Sequence, residues 1–182
     1  MAQLGYRESC VGNTTDVDST QRNPVGTTSY DQYGNEYVYM PGVASTVAGS
    51  WVTITGTGDA TEATRLLLKT HTGRVAVAMA ATVASTWGWY QIKGWNSNAL
   101  AGSDGTIVSG GGELAGSSLA GAPVLFAAAT SAAVAAAEKI RGAFTYSGQP
   151  DSDSAAAGTP GADKIVVYLN YPMVHATDVS AA

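Results

Sequence analysis

Few residues in this chain have the chemistry of a catalytic or metal site, and they lie far apart. Cys10 is the single thiol and His71 and His175 are the only imidazoles. No Cys-His signature surrounds Cys10, so a small inert residue is the simpler reading. A zinc site on either histidine needs carboxylate or thiolate partners, and neither HExxH nor CxxC occurs. Asp151 and Asp153 could hold calcium, but their Ser-rich loop lacks the spaced ligands of a calcium loop, which favours plain solvation. Lys69-Thr70 lacks the preceding glycines that would cradle a phosphate. The glycines at 102, 105, 110, 111 and 112 do not fit a dinucleotide fingerprint. Asn13-Thr14-Thr15 matches a glycosylation pattern but carries little weight without a secretory leader. Catalytic residues: none; cofactor: none; metal ligands: none. The chain is not expected to be an enzyme.

The elements that would have to position such groups are short and β-like. From Glu36, the run EYVYM alternates aromatic and aliphatic residues and stops at Pro41-Gly42. Residues 50–55 (SWVTIT) are β-branched and aromatic and end in the turn GTGD. Residues 63–70 (ATRLLLKT) are ambiguous by length, with strand favoured because a turn closes them. In residues 74–80, Val75, Val77 and Met79 share one face and Ala76, Ala78 and Ala80 the other, since strand side chains alternate. Both faces are apolar, as in a strand between layers, and the alanine side implies a close neighbour. A second strand follows in WGWYQIKGW, with Trp87, Trp89, Gln91, Lys93 and Trp95 on one face and Gly88, Tyr90, Ile92 and Gly94 on the other. Its glycines suggest bulges or a close approach of another group.

Later segments are mixed. Short strands are expected at 106–108, 123–126 and 143–146, and the clearest of all at 164–171, cut off by Pro172. Residues 130–141 (TSAAVAAAEKIR) carry helix propensity with Gly142 as a stop, but an Ala tract also suits tight sheet packing. The fold expected is mainly β, a single-domain antiparallel sandwich or barrel. Residues 1–34 read as an extended polar N-terminal arm ending in the turn Tyr33-Gly34-Asn35, and residues 35–182 as the β-rich domain.

Composition narrows the function classes. The 182 residues are 45% hydrophobic but only 13% charged, with net charge −5, against a typical charged fraction of about 25%. Only Lys93, Asp104 and Glu113 are charged between Val75 and Ala137. Either Ser, Thr, Asn and Gly make the surface polar, or a partner or further copies cover much of it. The cations are scattered, so no nucleic-acid partner is expected. The most apolar stretch, residues 123–137, is too short to cross ~30 Å of hydrocarbon, so no membrane partner is expected either. MAQLGYRESC lacks the pattern of a secretory leader. One cysteine suits a reducing cytoplasm.

Three of the four tryptophans fall within residues 74–95. The segments GNEYVYM, AGSWVTIT, GRVAVAMAATVASTWGWYQIKGW and KIVVYLNYP, in that order, resemble the tailed-bacteriophage capsid decoration or cement proteins, a head structural family. The shared pattern is G-x-V-A-x-A, here residues 73–78, then a spacer, then G-W-x-Q-x-x-G, here residues 88–94. The likeness covers about residues 34–95 and 164–172. It implies a non-enzymatic virion protein, made in the host bacterial cytoplasm, that binds the outside of the capsid shell. Its implied partners are the major capsid protein and further copies of itself, commonly as a homotrimer. The reading from another class is a carbohydrate-binding β module, in which Trp87, Trp89 and Trp95 stack on sugar rings.

Overall fold

The computed structural model describes residues 13–62, 72–100, 113–115, 139–145 and 164–174. Ten strands follow in chain order: β1 Val17–Asp18, β2 Thr28–Tyr30, β3 Glu36–Pro41, β4 Trp51–Ile54, β5 Ala60–Glu62, β6 Gly73–Ala78, β7 Trp87–Leu100, β8 Glu113–Ala115, β9 Lys139–Thr145 and β10 Lys164–Val174. They form one antiparallel sheet, ordered β2-β3-β7-β10-β6-β4-β5, curled into a half-barrel. β1 pairs with β7, and β9 pairs with β10 and carries β8. The mainly-β expectation is met, and no helix occurs among the described residues.

The alternation in β6 is what lets the sheet bury both sides. Val75 and Val77 join Trp51, Val167 and Leu169 in one core. Ala76 and Ala78 join Met40, Val52, Tyr90 and Ile92 in a second. Small side chains on that second side let the bulky Tyr90 lie opposite Ala78 in the β6–β7 register. Trp51 is fully buried, and its indole N–H donates to the Leu100 carbonyl at 3.0 Å, so its polar handle is satisfied.

Within the stretch read as an arm, residues 13–34 contribute two short strands: β2 pairs with β3, Ser29 facing Tyr37, and β1 pairs with Gly88 and Trp87. Buried polar contacts hold this stretch down. The Tyr39 hydroxyl donates to Asp18 at 2.8 Å, the Arg22 amide donates to that hydroxyl, and the Arg22 guanidinium reaches Asp18 at 2.9 Å. Of residues 130–141, where helix and sheet packing are both open, 139–141 are strand and 130–138 lie outside the described residues. Ile140 and Ala143 fill the first core, and that burial outweighs local propensity.

One expectation is corrected: β10 is not cut off by Pro172 but runs through it to Val174. The proline is tolerated because it sits in an irregularity, where the register passes from Leu169↔Ala143 to Met173↔Arg141. Tyr171 there has φ 49°, and the last two residues swing over to pair with Arg74 and Gly73 of β6. The strands expected at 63–70, 106–108 and 123–126 lie outside the described residues.

Candidate contact surface

Cross-strand register builds the most distinctive surface. Trp95 on β7 stands opposite Tyr168 on β10, which stands opposite Phe144 on β9. Directly opposed residues project from the same face of a sheet. The other side of these strands carries Ala143, Val167 and Leu169 in the core, so the three rings point outward. Trp95 is 53% exposed and Phe144 41%. Trp95 and Tyr168 meet edge to face, with centroids 5.1 Å apart.

A polar lattice fixes the indole end of this row. Gly94 has φ +96°, a conformation only glycine takes easily, and the Asn35 side chain lies against its Cα. The Asn35 Oδ1 accepts the Trp95 amide at 3.0 Å, and Asn35 Nδ2 donates to Asp31 at 2.7 Å. Asp31 also accepts from the Tyr33 and Asn35 amides and the Tyr37 hydroxyl, closing the β2–β3 turn. Burial alone would raise the Asp31 carboxyl, but these hydrogen bonds outweigh it and hold its pKa low. Burial, then the bond to Asp31, pushes the Tyr37 hydroxyl upward. From below, the Gln91 amide donates to the Lys93 and Trp95 carbonyls at 3.0 and 3.1 Å and accepts from Asn96 at 2.8 Å.

Beside it, Glu36, Lys93 and Tyr171 tie three strands together. Lys93 Nζ donates to Glu36 at 2.7 Å, and the Tyr171 hydroxyl donates to the other carboxylate oxygen at 2.6 Å. Lys93 Nζ also lies 5.3 Å from the centroid of the Tyr171 ring. Burial pushes the Glu36 carboxyl up, yet the bonds from Lys93 and Tyr171 prevail and its pKa is lowered. The bond to Glu36 holds the Lys93 ammonium above its ordinary value, against burial. This carboxylate is anchored and charged, with its two oxygens occupied. That suits a structural tie better than proton transfer at neutral pH.

The three tryptophans singled out in the sequence do not form one platform. Trp89 is only 5% exposed, and its ring meets Tyr39 at 5.2 Å. Trp87 is half-buried against the same cluster, and Trp95 alone opens outward. Gly88 and Gly94 accept close neighbours as expected. These are the Thr82 methyl at Gly88 and the Asn35 side chain at Gly94. On the far side of β7, burial pushes the Tyr90 hydroxyl up to about 12, against the pull of its bond to Thr82.

Cys10, His71, His175, Asp151, Asp153, Lys69 and the glycines at 102–112 lie outside the described residues. Among those described, no three His, Cys, Asp or Glu side chains gather in a metal-binding group. Sequence reading missed Tyr168, Phe144, Glu36 and Tyr171 as surface partners of Trp95 and Lys93. The signal available was Phe144 in β9 and Tyr168 and Tyr171 in β10, and the sequence of a strand does not give its register. No family model matches the chain, and neither a curated protein nor a solved structure matches it.

Proposed function

We propose that this chain is a non-enzymatic virion structural protein, a capsid decoration or cement protein that binds the outer surface of the major capsid shell and stabilises it. The observation that carries the reading is the outward row Trp95–Tyr168–Phe144, on three adjacent hydrogen-bonded strands. A row anchored in that way loses little side-chain freedom on docking, which favours burial against a protein surface. The resemblance of residues 34–95 and 164–172 to tailed-phage decoration proteins supplies the identity of the partner, the major capsid protein. It also supplies the homotrimer as the oligomer and the virion exterior as the location. A protein of this kind acts by covering junctions between shell subunits in many copies, so it needs contact area rather than chemistry.

The test is co-sedimentation of the purified chain with shells of its own phage stripped of small proteins, counting bound copies per major capsid subunit. Saturation at a fixed ratio compatible with icosahedral symmetry is expected. No binding at micromolar concentration refutes the reading. A sugar platform made of Trp87, Trp89 and Trp95 together is not part of this proposal, because Trp89 is buried.

A further inference from the structure

Among the described residues, Tyr171 is the one non-glycine with positive φ inside a strand, at 49°. Ser45 and Ser85 share that conformation, but each is the third residue of a turn that calls for it. Those turns are closed by the Thr46 amide on the Val43 carbonyl and the Thr86 amide on the Val83 carbonyl. Around Tyr171 three adjacent strands bend at one level. β7 and β9 do so at glycines, Gly94 at φ +96° and Gly142 at φ +79°, whereas β10 carries a tyrosine and then Pro172. The bend is where β10 changes partners. From Lys164 to Asn170 it pairs with β7, and beyond the bend Met173 and Val174 pair with Arg74 and Gly73 of β6. The strained residue is held from outside. Its hydroxyl donates to Glu36 at 2.6 Å, and Lys93 Nζ, bonded to the same carboxylate, lies over its ring.

We infer that Tyr171–Pro172 is a hinge about which the end of β10 is exchanged between copies of this chain, so that Met173 and Val174 of one copy pair with β6 of another. The inference goes beyond the capsid reading and does not rest on it. A second copy offers the same β6 edge and the same core site for the fully buried Val174, so exchange keeps the contacts made past the hinge. The two forms then differ at the hinge and in the cost of bringing chains together. Straightening the hinge returns Tyr171 to extended backbone and releases its left-handed strain. Pro172 pulls the same way, because a residue that precedes proline is driven toward the extended region. Opposing this is the hydroxyl bond to Glu36, which a straightened Tyr171 gives up. One side chain thus carries both the strain that favours exchange and the bond that restrains it.

The experiment mixes two forms of the full chain, both with Cys10→Ser, one carrying Arg74→Cys and the other Met173→Cys. The two positions are exposed and directly opposed across antiparallel strands, a separation that a disulfide can span. The mixture is concentrated, held until its composition is constant, and oxidised, and covalent pairs are counted by intact mass. Chance collision joins like and unlike copies in the statistical ratio, whereas exchange adds unlike pairs alone. The expected result is an excess of unlike pairs that grows on the order of tenfold when both forms carry Tyr171→Phe, which loses the bond to the carboxylate and keeps the strain. Tyr171→Gly loses both, and its excess should lie about fivefold below that of Tyr171→Phe. Thermal unfolding of each variant establishes that it is folded. A statistical ratio in all three mixtures overturns the inference. So does an excess for Tyr171→Phe no larger than that for Tyr171→Gly, which would remove the hinge as its cause. No shells are present, so either failure leaves the capsid reading where it stands.

Discussion

Replacing Gly94 by Ala isolates the contact that locks the indole end of the surface row. At φ +96° an L-residue is strained, and the new Cβ would collide with the Asn35 side chain, Cγ lying 2.7 Å and Cα 3.0 Å away. The backbone strain alone costs about 1–2 kcal/mol. Asn35 must then swing aside, giving up its bonds to the Trp95 amide and to Asp31. That loss adds about 1–3 kcal/mol. Gly34→Ala is the matched control, because Gly34 has φ +80° but nothing within 4 Å of an added Cβ. Urea unfolding of both should show Gly94→Ala losing about 2 kcal/mol more than Gly34→Ala, or about 4–8 °C in Tm for a chain of this size. In the double variant with Asn35→Ala, part of the penalty should vanish, since the colliding side chain is gone. Equal losses at the two glycines together with strict additivity in the double variant would refute the reasoning.

Other outcomes follow from the same contacts. Ala78→Leu pushes a branched side chain toward Tyr90 in a filled core and should cost about 1–3 kcal/mol in denaturant titration. Tyr39→Phe leaves the buried Asp18 carboxylate without its hydroxyl donor and should cost about 1–3 kcal/mol, with hydrogen exchange accelerated at β1. The pH dependence has a fixed sign. Glu36 titrates below its ordinary 4.5 in the folded chain, so its contribution is complete above that value and fades as pH falls through the lowered pKa. Lys93 titrates above 10.5, so its contribution is complete below that value and fades as pH rises through the raised pKa. Urea midpoints for Glu36→Gln should therefore lie below wild type at pH 7, with the gap closing toward pH 3.

The strands with strict alternation were legible without coordinates. β3, β6, β7 and β10 each keep period two over six or more residues, and in β6 the split into a valine face and an alanine face predicted burial on both sides. Elements held by distant partners were not legible. β1 and β2 are two and three residues long, and nothing local distinguishes them from a polar arm. They exist because the β7 backbone and Tyr39 receive β1 and the β3 backbone receives β2. Residues 139–141 follow an alanine tract that favours helix, and their place in the sheet depends on Ile140 filling a core supplied by β10. The surface row failed to show for another reason. Trp95, Phe144 and Tyr168 meet only through register, and Glu36 and Lys93 lie 57 residues apart. Composition did identify an aromatic segment poor in charge. It could not tell which tryptophans face inward, because a buried face and a docking face draw on the same residue types.

β10 lies between β7 and both β9 and β6, and its side chains fill the first core. On the ribosome this strand is made after every other described element. Until it emerges, the edge of β7 that pairs with β10 along residues 93–100 has no partner among the described strands, and Trp51, Val75 and Val77 lack the β10 side chains that pack on them. Between the completion of β7 and the emergence of β10 the nascent chain thus carries an unpaired strand edge and an open apolar face, the condition under which chains aggregate. Substitutions in β10 such as Leu169→Ala should therefore lower the yield of soluble protein more steeply than the melting temperature of the molecules that do fold.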